Sequence, residues 1–367
     1  YLDERGKLVA TEAFPLNAVL DTCCQLQFGI GDLIRRAQGH AFGAFGLDPI
    51  ESPYRVIFSG PFWRLRDYGE HDAAKPVLIV AAPIKRPYIW DLTPSASAIR
   101  YILGRGLHVY LLEWLPASQT TGKNGLTEYV KAISESVAKI SSKSSSVEPF
   151  LIGHSLGGTL AAIFGAVAPK SIRGLVLLGA PLCFRPATSR FRDALVSLLP
   201  SGLADAGLFP GSLLSHISAL ASPDTFIWSR LADAALSVTD NHALEIHARV
   251  ERWALDEIPL PGNLVHQIIE WLYREDRFCR GDLTIGEAHT GPFTLSVPTL
   301  AVINTADEIA PLGSVKPFLD AMPMRDTRII EYSGEVGVCL QHLGILIGRK
   351  ARAEVWPEIM SWIESRR

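Results

Sequence analysis

Residues 151–158 read Leu-Ile-Gly-His-Ser-Leu-Gly-Gly, which puts Ser155 in a G-x-S-x-G pattern. The apolar run Pro149–Ile152 precedes the pattern and an Ala-rich run, Thr159–Val167, follows it. That is the strand–turn–helix context a nucleophile elbow requires. In such an elbow the serine takes a strained backbone conformation at a sharp turn. Gly153 and Gly157 then stand where strand and helix approach too closely for a Cβ. The helix beginning after Ser155 aims its free N–H groups and positive dipole end at the site where an oxyanion would form. Leu151–Pro169 approaches the length of a membrane span, but His154, Ser155 and the glycines within it fit a buried elbow and helix better.

On either side of this stretch, short β-rich runs alternate with longer helical patterns, which predicts a mostly parallel α/β sheet. Tyr54–Ser59 and Phe62–Asp67 flank a Gly-Pro turn and read as an antiparallel edge hairpin. Val77–Ala81, Leu107–Leu112, Phe150–Ile152 and Gly174–Leu178 are the candidate central strands, and Pro298–Ile303 and Arg328–Tyr332 add two more. Helices are expected near Ser95–Leu103, Leu126–Ile140 and Val355–Glu364, and the polar Ser141–Ser146 reads as a loop.

Between Phe184 and Pro292 the strand signals vanish, and five helical stretches punctuated by loops take over. A helical block between two βα units reads as a cap over the edge of the sheet where ligands enter. The expected organisation is a core of residues 1–183 including an N-terminal extension, a cap of 184–292, and the rest of the core in 293–367. Residues 1–50 read as helical and irregular.

A serine hydroxyl needs a base to become a nucleophile. In folds with such an elbow, the chain order is Ser, acid, His, with the partners on loops after late strands. Asp307 follows Pro298–Ile303 in Asn-Thr-Ala-Asp-Glu-Ile-Ala-Pro, and His342 follows the last strand through a loop holding Gly334 and Gly337. Glu308 is the competing acid. His216, His242, His247, His266 and His289 fall in the cap and read as structural or surface residues, and His154 reads as packing. The oxyanion hole is expected to combine the N–H of Leu156 with one from the loop after Val77–Ala81. Pro83 has no N–H, so Ile84 is the second candidate.

Composition narrows the function classes. The chain of 367 residues is 48% hydrophobic and 20% charged, with a net charge of −3, as expected of a globular protein with a sizeable core. It carries no basic stripe or zinc-like Cys/His spacing, so nucleic acid is not an expected partner. No phosphate-cradling glycine loop or metal-ligand cluster is evident, and neither cofactor nor metal is expected. No transmembrane segment is expected, and no basic stretch followed by an uninterrupted apolar run suggests a signal peptide. The five cysteines, Cys23, Cys24, Cys183, Cys279 and Cys339, read as free thiols of a reducing compartment. A cytoplasmic location follows.

With these residues placed, the chain from about Tyr54 onward resembles the polyhydroxyalkanoate synthase family of the α/β-hydrolase fold. The short catalytic subunit of the two-subunit synthases is most similar. Pro76–Leu92 (PVLIVAAPIKRPYIWDL) is similar to the family's first core strand and following loop. Val109–Trp114, Trp253–Asp256 and Phe278–Gly286 match in order and spacing. Ala306–Pro311 resembles the loop of the catalytic aspartate, and His342–Ala351 the segment of the catalytic histidine. The resemblance implies hydroxyacyl-CoA substrates and, at family level, a homodimer through the cap.

Two departures stand beside it. The family's box carries cysteine where this chain has Ser155, and the segment Gly334–Gln341 before His342 is longer. Cysteine suits transfer of an acyl chain between sulfurs, whereas serine is at home in hydrolysis. The sequence therefore reads first as a serine acyl hydrolase of esters or hydroxyacyl thioesters. A synthase-like acyltransferase is the alternative, and a non-catalytic relative retaining the fold is a third reading.

Overall fold

The computed structural model of the chain describes residues 16–69, 75–143, 147–199 and 207–366. The Cys23 and Cys24 side chains, and residues 144–146 of the expected serine loop, lie outside the described residues. Ser141 and Ser142 end a helix rather than a loop.

The expected strands join one eight-stranded sheet. They are β1 (Arg55–Ser59), β2 (Trp63–Asp67), β3 (Pro76–Val80), β4 (His108–Trp114), β5 (Phe150–His154), β6 (Gly174–Leu178), β7 (Thr299–Asn304) and β8 (Thr327–Tyr332). Their spatial order is β1-β2-β4-β3-β5-β6-β7-β8. The β1–β2 and β2–β4 pairs are antiparallel, and every other pair is parallel. A parallel sheet covered on both faces needs strands apolar throughout, and Val77, Leu78, Ile79 and Val80 are fully buried.

One face packs beneath α3 (Leu126–Lys143) and α4 (Leu156–Val167), and the other beneath α2 (Ala98–Leu103) and the closing helix Trp356–Glu364. Pro357 falls in the first turn of that closing helix, where its missing N–H leaves no hydrogen bond unmade.

After β6 the chain leaves the sheet for α5 (Arg190–Leu198), α6 (Gly211–Ala221), α7 (Ser229–Ser237) and α8 (Asn241–Ala254). Of these, α5 and α6 build a separate apolar cluster around Phe191 and Leu195 with Phe209, Leu260, Val265 and Ile269, whereas Ile246 and Val250 of α8 pack with the sheet core. The expectation that strands vanish here is corrected. Leu208–Phe209 pairs with Leu260–Pro261, and Leu283–Ile285 with Ala288–Thr290. Ladders of two or three residues are too short to print an alternating pattern. Phe278, Leu283 and Ile285, expected within the cap, join the larger core with Leu160 and Phe164. The N-terminal helix α1 (Leu16–Ala44) docks on the cap side. Arg35 pairs with Glu257 at 2.7 Å, and Asp32 accepts from the Ser212 amide at 2.9 Å.

The free-thiol reading is corrected too. Cys183 and Cys279 form a disulfide across 96 residues, with their Cα atoms 5.0 Å apart. The chain departs from the sheet at one of these points and returns near the other, so the base of the excursion closes on itself. Asp276 reinforces that closure by accepting from the Phe184 amide at 2.7 Å. Cys339 is a buried free thiol. By the chain-entropy relation, closing a loop of this size confers about 4–5 kcal/mol. Cys279→Ser should lower the unfolding free energy by that amount in a urea titration. An unchanged midpoint and slope would mean that the bond is not made in solution.

Candidate active site

Ser155 sits between β5 and α4 with φ of 54° and ψ of −134°. A non-glycine residue in that region is strained, and the surrounding structure must hold it there. Its N–H donates to Leu178 O on β6 at 3.0 Å, and its carbonyl accepts from Gly158 and Thr159. The flanking glycines are required by space. A Cβ on Gly153 would lie 2.5 Å from Gly158 Cα, and one on Gly157 would lie 2.3 Å from Val80 O. Leu156 opens α4, whose first-turn N–H groups have no acceptor within the helix.

Asp307 lies in the turn after β7. Its Oδ1 accepts from the Ile309 amide at 2.9 Å, and its Oδ2 meets His342 Nδ1 at 2.6 Å. Both side chains are buried. Among the described residues, His342 Nε2 is buried with no hydrogen-bond partner. An imidazole nitrogen left free beside a cavity is available to a proton on another molecule or on a neighbouring hydroxyl. Glu308 turns the other way and accepts from Ser222 and Thr225 of the cap at 3.0 and 2.8 Å. It makes no contact with His342 in the hydrogen-bond network.

His154 packs, as its position implies. Its Nε2–H donates to His342 O at 2.8 Å, and the two rings lie 4.5 Å apart. Burial, joined by the His342 ring, pushes its pKa down to about 3, so it stays neutral in the folded protein. An unfolded histidine takes up a proton near pH 6.5. Between those two values only the unfolded chain binds it, and this group's contribution therefore falls as pH drops from about 6.5 toward 3. The loss is about 1.4 kcal/mol per pH unit at its steepest. The slope of unfolding free energy against pH below 6 should be shallower in His154→Gln. An unaltered slope would count against the burial of a neutral ring.

Ser155, Leu156, Ile84 and His342 all line one cavity of about 440 Å³, and Asp307 stands behind His342. The loop after β3 is pinned along the cap. Ile84 O accepts from the Ile258 amide at 3.3 Å, and the Arg86 amide donates to Asp256 O at 3.2 Å. Cap and core share the lining, with Phe184, Phe191, Phe226, Ile268 and Ile269 forming much of its apolar wall.

Sequence reading missed the polar lining residues Lys85, His216, Arg230 and Cys339. Burial pulls the Lys85 ammonium down to about 8, although Glu257, 3.0 Å away, partly offsets it. Lys85 and Cys339 lie in segments that drew notice for other reasons, and His216 and Arg230 carried no motif, because only folding brings the helices after β6 to the elbow.

The chain belongs to the α/β-hydrolase fold family, whose family model matches residues 94–334. Within that fold it is similar to poly(3-hydroxyalkanoate) polymerase subunits PhaC. It is 28% identical to the Haloferax mediterranei protein over 86% of this chain and 64% of the relative. Identity to the Haloarcula marismortui protein is 27%, over 79% of this chain and 61% of the relative. The chain thus spans less than two thirds of those two proteins. The Allochromatium vinosum subunit is 23% identical over 96% of this chain and all of its own length.

Solved structures carry the same fold at low identity. A carboxylesterase of Nitrososphaera gargenis is 12% identical, covers 85% of this chain and 98% of its own, and has a TM-score of 0.52. An esterase from Thermogutta terrifontis is 17% identical over 85% and 98%, with a TM-score of 0.50. These esterases share the chain's fold. No helix among the described residues is long and apolar enough to cross a membrane.

Proposed function

We propose that the chain is a serine-dependent acyltransferase that takes a hydroxyacyl group from a coenzyme A thioester, with Ser155, His342 and Asp307 as its triad. The observation that carries this is the buried Asp307–His342 pair, which leaves Nε2 free in the cavity holding the Ser155 elbow. His342 Nε2 takes the Ser155 proton as Oγ attacks the thioester carbonyl, and the N–H groups of Leu156 and Ile84 receive the oxyanion. Collapse expels the thiolate, protonated by His342, and leaves an oxygen-ester acyl-enzyme. His342 then deprotonates the acceptor hydroxyl. Similarity to polymerase subunits along most of the chain favours an alcohol as that acceptor. Serine at the nucleophile position favours the second reading, in which water is the acceptor.

3-Hydroxybutyryl-CoA given to the purified chain separates these readings when thiol release and acyl fate are followed together. Oligomer supports transfer, and free 3-hydroxybutyrate supports hydrolysis. Absence of thiol release rejects this thioester as donor. Ser155→Cys restores the family's nucleophile type, and we expect it to gain rate on hydroxyacyl thioesters relative to oxygen esters. Uniform loss on every donor would count against a synthase-like pocket.

The proposed coenzyme A thioester donor favours a cytoplasmic location, and both Cys183 and Cys279 are buried. The homodimer is proposed through the cap, where Trp228, Leu231, Leu236 and Val238 are exposed. Sedimentation would test it.

A further inference from the structure

The segment preceding His342 is tied to the cap by one carboxylate. Asp233, buried near the middle of α7, accepts from the Gly337 amide at 2.7 Å through Oδ1 and from the Cys339 amide at 2.8 Å through Oδ2. His247 on α8 donates to Oδ2 at 2.9 Å from the other side. Around this clamp, Cys339 Sγ donates to Glu251 Oε1 at 3.2 Å, and Arg230 pairs with both oxygens of Glu251. His247, Glu251 and Cys339 are close enough to suggest cation ligands. Arg230 already supplies the positive charge there, so the cluster reads as an ion-paired network.

The clamped backbone is not relaxed. Gly337 has φ of 86° and Cys339 a φ of 62°. A Cβ on Gly337 would lie 2.7 Å from Ala243 Cβ of α8, so the loop lies directly against that helix. A non-glycine residue at positive φ persists only where its surroundings over-determine it, and Asp233 bonds the amide of that very residue. Burial would raise the Asp233 carboxyl, but His247 and the two amides hold it below the usual range, so it stays ionised.

Val338 and Cys339 pack with the sheet core, and two and three residues beyond Cys339 core side chains bond the backbone itself. Asn304 Nδ2 donates to Gln341 O at 2.7 Å, and His154 donates to His342 O at 2.8 Å. His342 is therefore strung between a cap anchor and a core anchor. Only the cap anchor can move with the cap.

From this geometry we infer that Asp233 is a positioning residue for His342, coupling the seating of the cap to the placement of the general base. The inference rests on the triad reading above and goes beyond it. Its consequence is that a cap displaced from the core draws residues 337–339 with it and takes Nε2 out of reach of Ser155. Misplacement of a catalytic group by 1 Å costs about 10²-fold.

The test uses the full chain and a fluorophosphonate, whose phosphorus is attacked by an activated serine, so that no natural substrate need be known. Asp233→Asn keeps the shape but offers one acceptor oxygen where two amides and an imidazole now converge. We expect its maximal labelling rate to fall roughly 10–100-fold, with half-saturating probe concentration within about threefold of the parent. Rate per molecule is read from the labelled fraction, so unfolded protein does not enter it. If Asp233→Asn does not fold, Gly337→Ala displaces the same loop and is read identically.

A maximal rate within about threefold of wild type overturns the inference. So does a loss confined to half-saturation. Wild type that takes no label at Ser155 removes the triad reading itself, a different and separately visible result.

Discussion

Ser155→Ala is expected to lower thiol release from 3-hydroxybutyryl-CoA by roughly 10⁴–10⁶-fold, with a change in Tm of no more than about 2 °C. The rate effect is large because the proposed route has one nucleophile, and the remaining donors and base act only on a bond Ser155 has begun to make. Groups that act as a unit lose nearly everything when one member is removed. The stability effect is small for a structural reason. The Ser155 hydroxyl caps no helix N–H, and the strained φ of 54° is imposed by backbone bonds to Leu178, Gly158 and Thr159 that alanine retains. Turnover within tenfold of wild type would place the nucleophile elsewhere. Cys339, the buried thiol lining the same cavity, would be the first residue to replace next. Burial and the Glu251 carboxylate push its thiol pKa well up, which makes it a poor nucleophile as it stands.

What the sequence carried and what it withheld divide along a physical line. The elbow was legible because its chemistry is local. Strand, turn, glycine spacing and helix lie within about twenty residues, and the close approach of Gly157 to Val80 O is implied by the pattern itself. Strands of the parallel sheet were legible because burial on both faces leaves unbroken apolar runs such as Val77–Val80. Asp307 and His342 could be proposed because chain order restricts where the partners of such a serine can fall.

Contacts that depend on the path of the cap were not legible. Nothing in the spacing of Cys183 and Cys279 marks them as partners, since a chain separation of 96 residues must first fold back to the sheet. Asp233 gave no signal either. A single acidic residue in an amphipathic helix looks solvent-facing until another part of the chain presents two free amides to it. The longer segment before His342 was visible as a departure, but its purpose required seeing what it touches.

Asp307→Asn should reduce turnover by about 10⁴-fold, and the reason can be followed atom by atom. In the native site Oδ1 accepts from the Ile309 amide and Oδ2 meets His342 Nδ1. That pairing requires a proton on Nδ1 and leaves Nε2 as the acceptor that Ser155 needs. An asparagine has one carbonyl oxygen, and the fixed Ile309 N–H claims it. The amide NH₂ is then turned toward His342, where Nδ1 must become an acceptor. The imidazole responds by carrying its proton on Nε2, facing the serine with a donor where a base is required.

Shape and burial are almost unchanged, so KM should stay within about threefold while kcat falls, which is the pattern of an interaction made only in the transition state. Glu308→Gln is the matched control. Glu308 is bonded to Ser222 and Thr225 of the cap rather than to His342, and its kcat should remain within about threefold of wild type. If the two variants exchanged behaviours, Glu308 would be the orienting acid and the turn after β7 would have to rearrange when substrate binds. If neither lost activity, His342 would need no carboxylate, and its 2.6 Å partner would be there for the fold alone.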